Sequence, residues 1–362
     1  MSGLQIPGFD VIRSIPHEGV ADLHLVKHPV YGEDVVCKRV DTLGREDSIA
    51  YLEPRLLHQM HHDNVAQILE ARVTDENGGT KIVEVFMPFY PEGSVLDALM
   101  NGRRFSIAEA IVIARDVLSA LSYLHEDLGY LHRDVKPANV LLEQDGSKAR
   151  LTDFGSAAKL EHGTARGSLG RSPLYEPPEA SAGPTSVAGD VYAAGLCLFE
   201  TLSGRFPYEE LSFDEVARRL SRGQRAIADR RLQHDPHVPS AVRRVVNAAI
   251  AQDPGRRYPS AAVFRAALTA NRFVDWRRVA GVGLVGVWDG RWVGRAGELL
   301  YRVEARLLRM GTVRVTARRR SSAGERWMTV GTDQLVQQDA LKPTLESCFE
   351  ASLQDAAHRL PS

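Results

Sequence analysis

The chain opens on an alternation of apolar and polar positions. Ile15 to Val26, then Val35, Val36, Cys37 and Lys38, set β-branched and apolar residues on either side of a short polar stretch, which predicts strand, turn, strand. The period changes at Glu53, where Leu57 and Met60 follow at helical spacing. From Ile107 to Glu126 the apolar positions Ile111, Ala114, Leu118, Leu121 and Leu124 recur every three to four residues, the pattern of a buried helix. Beyond residue 272 the alternation returns. Tyr301, Val303, Ala305 and Leu307 interleave with Arg302, Glu304 and Arg306, and Val313, Val315 and Ala317 with Arg314, Thr316 and Arg318. These predict half-buried strands joined by a turn around Met310-Gly311, with a further turn at Ser321 to Gly324 leading to Trp327-Met328-Thr329-Val330. Asp289-Gly290, between Trp288 and Arg291-Trp292, predicts a two-residue hairpin turn. The stretch Leu335 to Leu353 sets Leu341, Leu345, Cys348, Phe349 and Leu353 at helical spacing, so the tail reads as a small antiparallel sheet packed by a C-terminal helix.

Composition adds a boundary. With 362 residues, 44% hydrophobic and 25% charged, the chain is long for one compact unit, and two domains are expected. Its net charge of -1 hides a split: residues 1–272 carry 31 Lys and Arg against 36 Asp and Glu, residues 273–362 carry 14 against 10. All four tryptophans, Trp276, Trp288, Trp292 and Trp327, lie in the basic tail. Cys37, Cys197 and Cys348 are scattered and form no metal-ligand or disulfide pattern, which fits a reducing, cytoplasmic setting. The start has no basic segment followed by an apolar run, and the uncharged run Val279 to Trp288 falls short of the ~20 apolar residues a spanning helix needs. No membrane span is expected.

The candidate chemistry is concentrated in ordered motifs. Gly19-Val20-Ala21-Asp22-Leu23-His24-Leu25-Val26 resembles the second half of the protein kinase glycine-rich loop, and Val35-Val36-Cys37-Lys38 is similar to the family's lysine-bearing strand. Pro16, Glu18 and Ala21 stand where the family has glycines, and a carboxylate at position 18 would repel phosphates that glycine lets approach the backbone. The resemblance implies that Lys38 holds the nucleotide phosphates and pairs with a helix glutamate, for which Glu53 is the choice and Glu46 the alternative. Pro54 beside it requires that helix to start late or to bend. The segment Lys81 to Val95 resembles the hinge between lobes, with Met87 as gatekeeper and Pro88 and Tyr90 as the adenine-binding positions. Ile15 and Gly19 are the remaining nucleotide contacts that the resemblance implies.

His132-Arg133-Asp134-Val135-Lys136-Pro137-Ala138-Asn139 resembles the kinase catalytic loop at every position that carries a role, and Asp153-Phe154-Gly155 follows. Asp134 would orient or accept the substrate hydroxyl proton, Lys136 would stabilise charge on the transferred group, and Asn139 and Asp153 would bind Mg2+. Singly, Asp and Asn are ordinary turn residues. As an ordered set they corroborate one another. Pro177-Pro178-Glu179, Asp190 and Arg257 resemble the family's later structural landmarks, with Asp190 tied to the catalytic loop and Arg257 paired to Glu179.

The chain is thus identified as similar to the eukaryotic-like, Hanks-type serine/threonine protein kinases, with bacterial-looking motif variants. The resemblance implies an α+β, bilobal kinase fold over residues 1–272, with the N-lobe at about 8–90 and the C-lobe at about 91–272. Residues 273–362 form a second, small, basic, Trp-containing α+β domain that resembles no family. ATP and Mg2+ are the implied cofactors, and proteins phosphorylated on Ser or Thr the implied partners. Lys136 is the serine/threonine choice, and Thr164 or Ser168 is the expected autophosphorylation site, with Arg133 receiving the phosphate and Ser172 bonding Asp134 and Lys136. The arginines of the tail strands fall on one face, which could be a solvated surface, dock a protein or the kinase lobe, or bind nucleic acid. The competing function is a nucleotide-binding scaffold without phosphotransfer.

Overall fold

The computed structural model describes residues 6–16, 21–42, 51–76, 80–146, 148–165, 172–295, 297–322, 324 and 326–360. The opening alternation folds into β1 (Asp10–Ile15), β2 (Asp22–Lys27), β3 (Asp34–Asp41), β4 (Glu70–Glu76) and β5 (Thr80–Pro88), an antiparallel sheet in the order β1-β2-β3-β5-β4. Successive side chains of a strand point to opposite faces. Val35 and Cys37 therefore bury one side with Ile6, Val26 and Phe86, while Val36 and Val40 pack with Val83, Val85 and Met87 on the other. Lys38 shares this second face, toward α1 (Leu52–Gln59). Pro54 stands in the first turn of α1, where backbone N–H groups have no acceptor within the helix, so the helix accommodates it without a kink.

The helical lobe is built from α2 (Val95–Met100), α3 (Ile107–Ser122), α4 (Val187–Ser203), α5 (Phe213–Ser221), α6 (Ser240–Ala249) and α7 (Ala261–Thr269). A reciprocal cap between Ser106 and Glu109 starts α3, which ends in a π-helical turn at Tyr123–Asp127. Apolar on nearly every side, α4 is the buried axis of the lobe. Gly195 lets α6 approach it, since a Cβ there would stand 2.8 Å from Ala249 Cβ. Six short strands, β6 (Tyr130–Leu131), β7 (Val140–Leu142), β8 (Ala149–Leu151), β9 (Ala158–Lys159), β10 (Thr164–Ala165) and β11 (Thr185–Ser186), pair β6 with β9, β7 with β8 and β10 with β11. They hold the loops of the candidate site.

The tail forms β12 (Asp275–Val282), β13 (Val285–Gly294), β14 (Gly297–Leu307), β15 (Val313–Ser321), β16 (Met328–Thr329) and β17 (Gln334–Val336), covered by α8 (Gln338–Arg359). The first five strands run as an antiparallel meander, and β17 pairs with β15. The turn at Met310-Gly311 is found as expected, with Met310 at φ 61°. The hairpin expected at Asp289-Gly290 is not a turn. Both residues lie in mid-strand, with Gly290 opposite Trp276 on one side and Tyr301 on the other. The glycine serves packing: a Cβ at 290 would meet the Trp276 ring at 2.6 Å. Two apolar positions also differ from expectation. Leu307 ends its strand exposed, and Leu335, read as the start of the helix, is an exposed residue of β17.

Phe349 on α8 meets the edges of Trp276 and Trp288, with ring centroids 4.9 and 5.6 Å away. This aromatic layer continues into the helical lobe, and the apolar residues of the two form one contiguous core. Polar contacts rim it. Asp275 caps α3 by accepting from the Ala108 N–H at 2.8 Å, Arg277 pairs with Glu109 at 2.7 Å, and Arg243 with Glu346 at 2.6 Å.

Candidate active site

Three charged groups meet between the lobes. The Lys38 Nζ lies 2.9 and 2.8 Å from the two carboxylate oxygens of Glu53 and 2.8 Å from Asp153 Oδ1. Strand alternation aims the lysine at α1, and the helix presents Glu53 from its first turn. Burial would by itself raise the Asp153 pKa, but the Lys38 ammonium outweighs it and lowers the value to about 2. The same two carboxylates hold Lys38 above its ordinary value despite burial. Asp153 adopts a left-handed conformation, φ 63° and ψ 74°, at a bend from which the fully buried Phe154 ring reaches the His132 ring at 4.8 Å.

The loop carrying Asp134 is fixed from beneath by α4. Asp190 accepts from the backbone N–H groups of His132 and Arg133, each at 2.8 Å, and bonds His125 Nε2 at 2.8 Å. These bonds hold Arg133 at φ 66°, an unfavourable conformation for a residue with a side chain. The Arg133 Nε donates to the Ser156 carbonyl at 2.7 Å. Asp134 Oδ2 is 3.0 Å from Lys136 Nζ, which also donates to Ser172 Oγ at 2.6 Å. The expected link of Ser172 is thus made to Lys136. At the far end, Arg257 forms a two-pronged pair with Glu179 at 2.7 and 2.8 Å.

Asn139 donates its amide nitrogen to the Asp134 carbonyl at 2.8 Å and to Oδ2 at 3.1 Å. Both partners are acceptors, so the nitrogen must face them and the amide oxygen is left to accept a cation. Among the described residues no group of three or more His, Cys, Asp or Glu side chains could hold a metal by itself. One amide oxygen and one carboxylate suit Mg2+, which keeps several waters and leans on phosphate oxygens.

The remaining expected positions are distributed as follows. Met87 and Pro88 end β5, where they pair with Val36 and Val35 of β3, and the Tyr90 carbonyl accepts the Gly93 N–H at 3.0 Å while retaining a second lone pair. Ile15 ends β1, half-buried and paired with Leu23. Thr164 lies in β10, paired with Ser186. Gly19, Glu18, Glu46 and Ser168 fall outside the described residues. One contributor carries no motif signal. His125 ends a helix that reads as plain core, and its bond to Asp190 is set by the π-turn, which no periodicity announces.

The protein kinase domain family matches residues 18–268, more than half of the chain. The serine/threonine-protein kinase PrkC of Bacillus subtilis is 28% identical over 268 residues, covering 72% of this chain and 40% of that protein. The serine/threonine-protein kinase PksC of Streptomyces coelicolor is 32% identical over 267 residues, covering 68% of this chain and 46% of that protein. A maternal embryonic leucine zipper kinase of Danio rerio is 28% identical over 257 residues, covering 69% and 36%. The chain spans less than half the length of these curated relatives. The family match ends at residue 268, before the meander of β12 to β16 begins. By the extent of that match and the assembled motifs, the chain belongs to the protein kinase domain family.

Proposed function

We propose that this protein is a serine/threonine kinase that transfers the γ-phosphoryl group of ATP to protein hydroxyls. One observation carries the reading: the Lys38–Glu53–Asp153 triad and the Asp134–Lys136–Asn139 set have their hydrogen bonds already made, and Lys136 stands within electrostatic reach of Asp153. Lys38, held by Glu53, is the group for the nucleotide phosphates, with Met87, Pro88, Tyr90 and Ile15 around the base. Asp134 takes up and orients the proton of the acceptor hydroxyl. Lys136, bridging Asp134 and Ser172, sits where charge develops on the group in transfer and favours the small hydroxyl acceptors. Asn139 and Asp153 would hold Mg2+, which supplies charge compensation for the triphosphate. Because these groups are preorganised, little covalent help from the protein is needed.

The division into a kinase domain, 1–272, and a basic domain, 273–362, is part of this proposal, as are a cytoplasmic setting and autophosphorylation at Thr164 or Ser168 received by Arg133. Among the described residues no helix is long and apolar enough to cross a membrane. The test is transfer from radiolabelled ATP to a generic basic protein, comparing wild type with Asp153→Ala. A loss of about a hundredfold or more is expected. Equal, background-level transfer by both proteins would leave only the nucleotide-binding scaffold.

A further inference from the structure

We propose that Glu176 makes this enzyme select substrates with a lysine or arginine beside the acceptor hydroxyl, through a pocket it shares with Asp134. The inference rests on the kinase reading above and deepens it.

A narrow pocket opens beside Asp134, its charged lining being Arg133, Asp134, Glu176 and Asp190; Asp190 is taken up by His125 and the loop backbone. In the segment from Ser172 to Glu179, the other polar side chains have partners. Ser172 accepts from Lys136, the Tyr175 hydroxyl donates to Glu200, and Glu179 holds Arg257. The Glu176 backbone N–H donates to the Pro173 carbonyl at 3.3 Å, but its side chain has no hydrogen-bond or ion-pair partner among the described residues. Its neighbours Tyr175 and Pro177 are buried, and Glu176 itself is half-buried. Burial and the charge of Asp134 both raise its affinity for a proton. Of the cations beside Asp134, Lys136 is engaged by Asp134 and Ser172, and Arg133 donates to the Ser156 carbonyl.

Two carboxylates in one partly dry pocket repel each other, and a positive charge entering between them relieves both the repulsion and the desolvation. The acceptor hydroxyl must reach Asp134 for transfer, so the side chain that reaches Glu176 belongs to a residue close to the acceptor in the substrate chain. A carboxylate there also disfavours acidic substrates, which adds discrimination by repulsion. An apolar neighbour would leave Glu176 without a counter-charge, since the Lys136 ammonium is already held by Asp134.

The test uses the full chain and a set of peptides differing only in where a single arginine, leucine or glutamate stands, at the two positions before and the two after the acceptor serine. With wild type, arginine at one of these positions is expected to exceed leucine by about tenfold in kcat/KM. Glu176→Gln, which keeps the shape, is expected to bring that ratio to within about twofold of unity, and Glu176→Lys to reverse it in favour of glutamate. The same arginine preference in wild type and Glu176→Gln, or no preference in wild type, overturns the proposal while phosphate transfer to the leucine peptide still supports the kinase reading. Absence of transfer to every peptide overturns both.

Discussion

The cleft and the tail sheet both carry crowded charges, but the two crowds differ in kind. In the cleft, Lys38 and Glu53 are each 7% exposed, and one ammonium serves two carboxylates. On the tail sheet, Arg302 pairs with Asp289 at 46% and 41% side-chain exposure, Arg318 with Asp333 at 31% and 45%, and Arg306 bonds its neighbour Glu304. The arginine face expected from the alternation is therefore largely offset by its own carboxylates. Water and salt screen such pairs, so they contribute little and recruit little, whereas charges taken out of water must be matched or they unfold the site. The distinction separates machinery from surface more sharply than charge counts do.

Lys38→Ala should break the comparison most visibly. Removing the cation strands Glu53 and Asp153 together in the cleft, for an expected loss of about 3–5 kcal/mol in urea unfolding. Phosphate transfer should vanish in the same variant. A stability cost near zero would make the buried triad no different from the surface pairs.

Gly290→Val probes the tail by packing instead of charge. The added Cβ would collide with the Trp276 ring at 2.6 Å and Val274 Cγ1 at 2.8 Å, both rigid core groups. Overpacking of this kind costs about 1–3 kcal/mol, readable as a lower thermal midpoint. A harmless substitution would mean that the Trp276 ring yields at little cost and that packing does not require the glycine. The motif residues come together in one region, and the turn reading slipped in the other. Lys38, Asp134, Asn139 and Asp153 stand at the fixed spacings of a family pattern, so each residue checks the others. Asp289-Gly290 stands alone, and a glycine gives the same signal whether the chain must turn or a tryptophan must lie against it. The strands of β14 and β15 were legible because period two survives wherever one face is dry. The union of the two cores was not, since an apolar residue does not say which neighbour covers it.

That union places His237 between the lobe and the tail, with its ring centroid 6.5 Å from that of Trp288 and 6.2 Å from that of Phe349. Burial, with Arg278, Arg243 and Arg104 nearby, pushes its pKa down to about 3, and Asp235 stands 3.9 Å from its Nδ1. The unfolded imidazole titrates near 6.5, so between that value and about 3 the unfolded state binds more protons and stability falls as pH drops. At pH 5 the loss attributable to His237 is about 2 kcal/mol relative to neutral pH. Comparing unfolding of wild type and His237→Leu at both values isolates this contribution from the carboxylates, and an equal pH slope in the two proteins would remove it.

The smallest effect is expected at the arginine face, and it sharpens the contrast from the other side. Arg302 makes two well-aligned bonds to Asp289 at 2.6 and 2.8 Å, a geometry that would be strong if buried. It also stacks over Trp327, with the guanidinium 5.6 Å from the ring centroid. Both partners remain wet, however, and an exposed pair returns most of its Coulomb energy to solvent and to side-chain entropy. Arg302→Ala should therefore shift stability by no more than about 0.5 kcal/mol at physiological salt, and the shift should shrink further in 1 M salt. A cost approaching that of Lys38→Ala would mean that alignment, not burial, decides what a charge pair contributes in this fold.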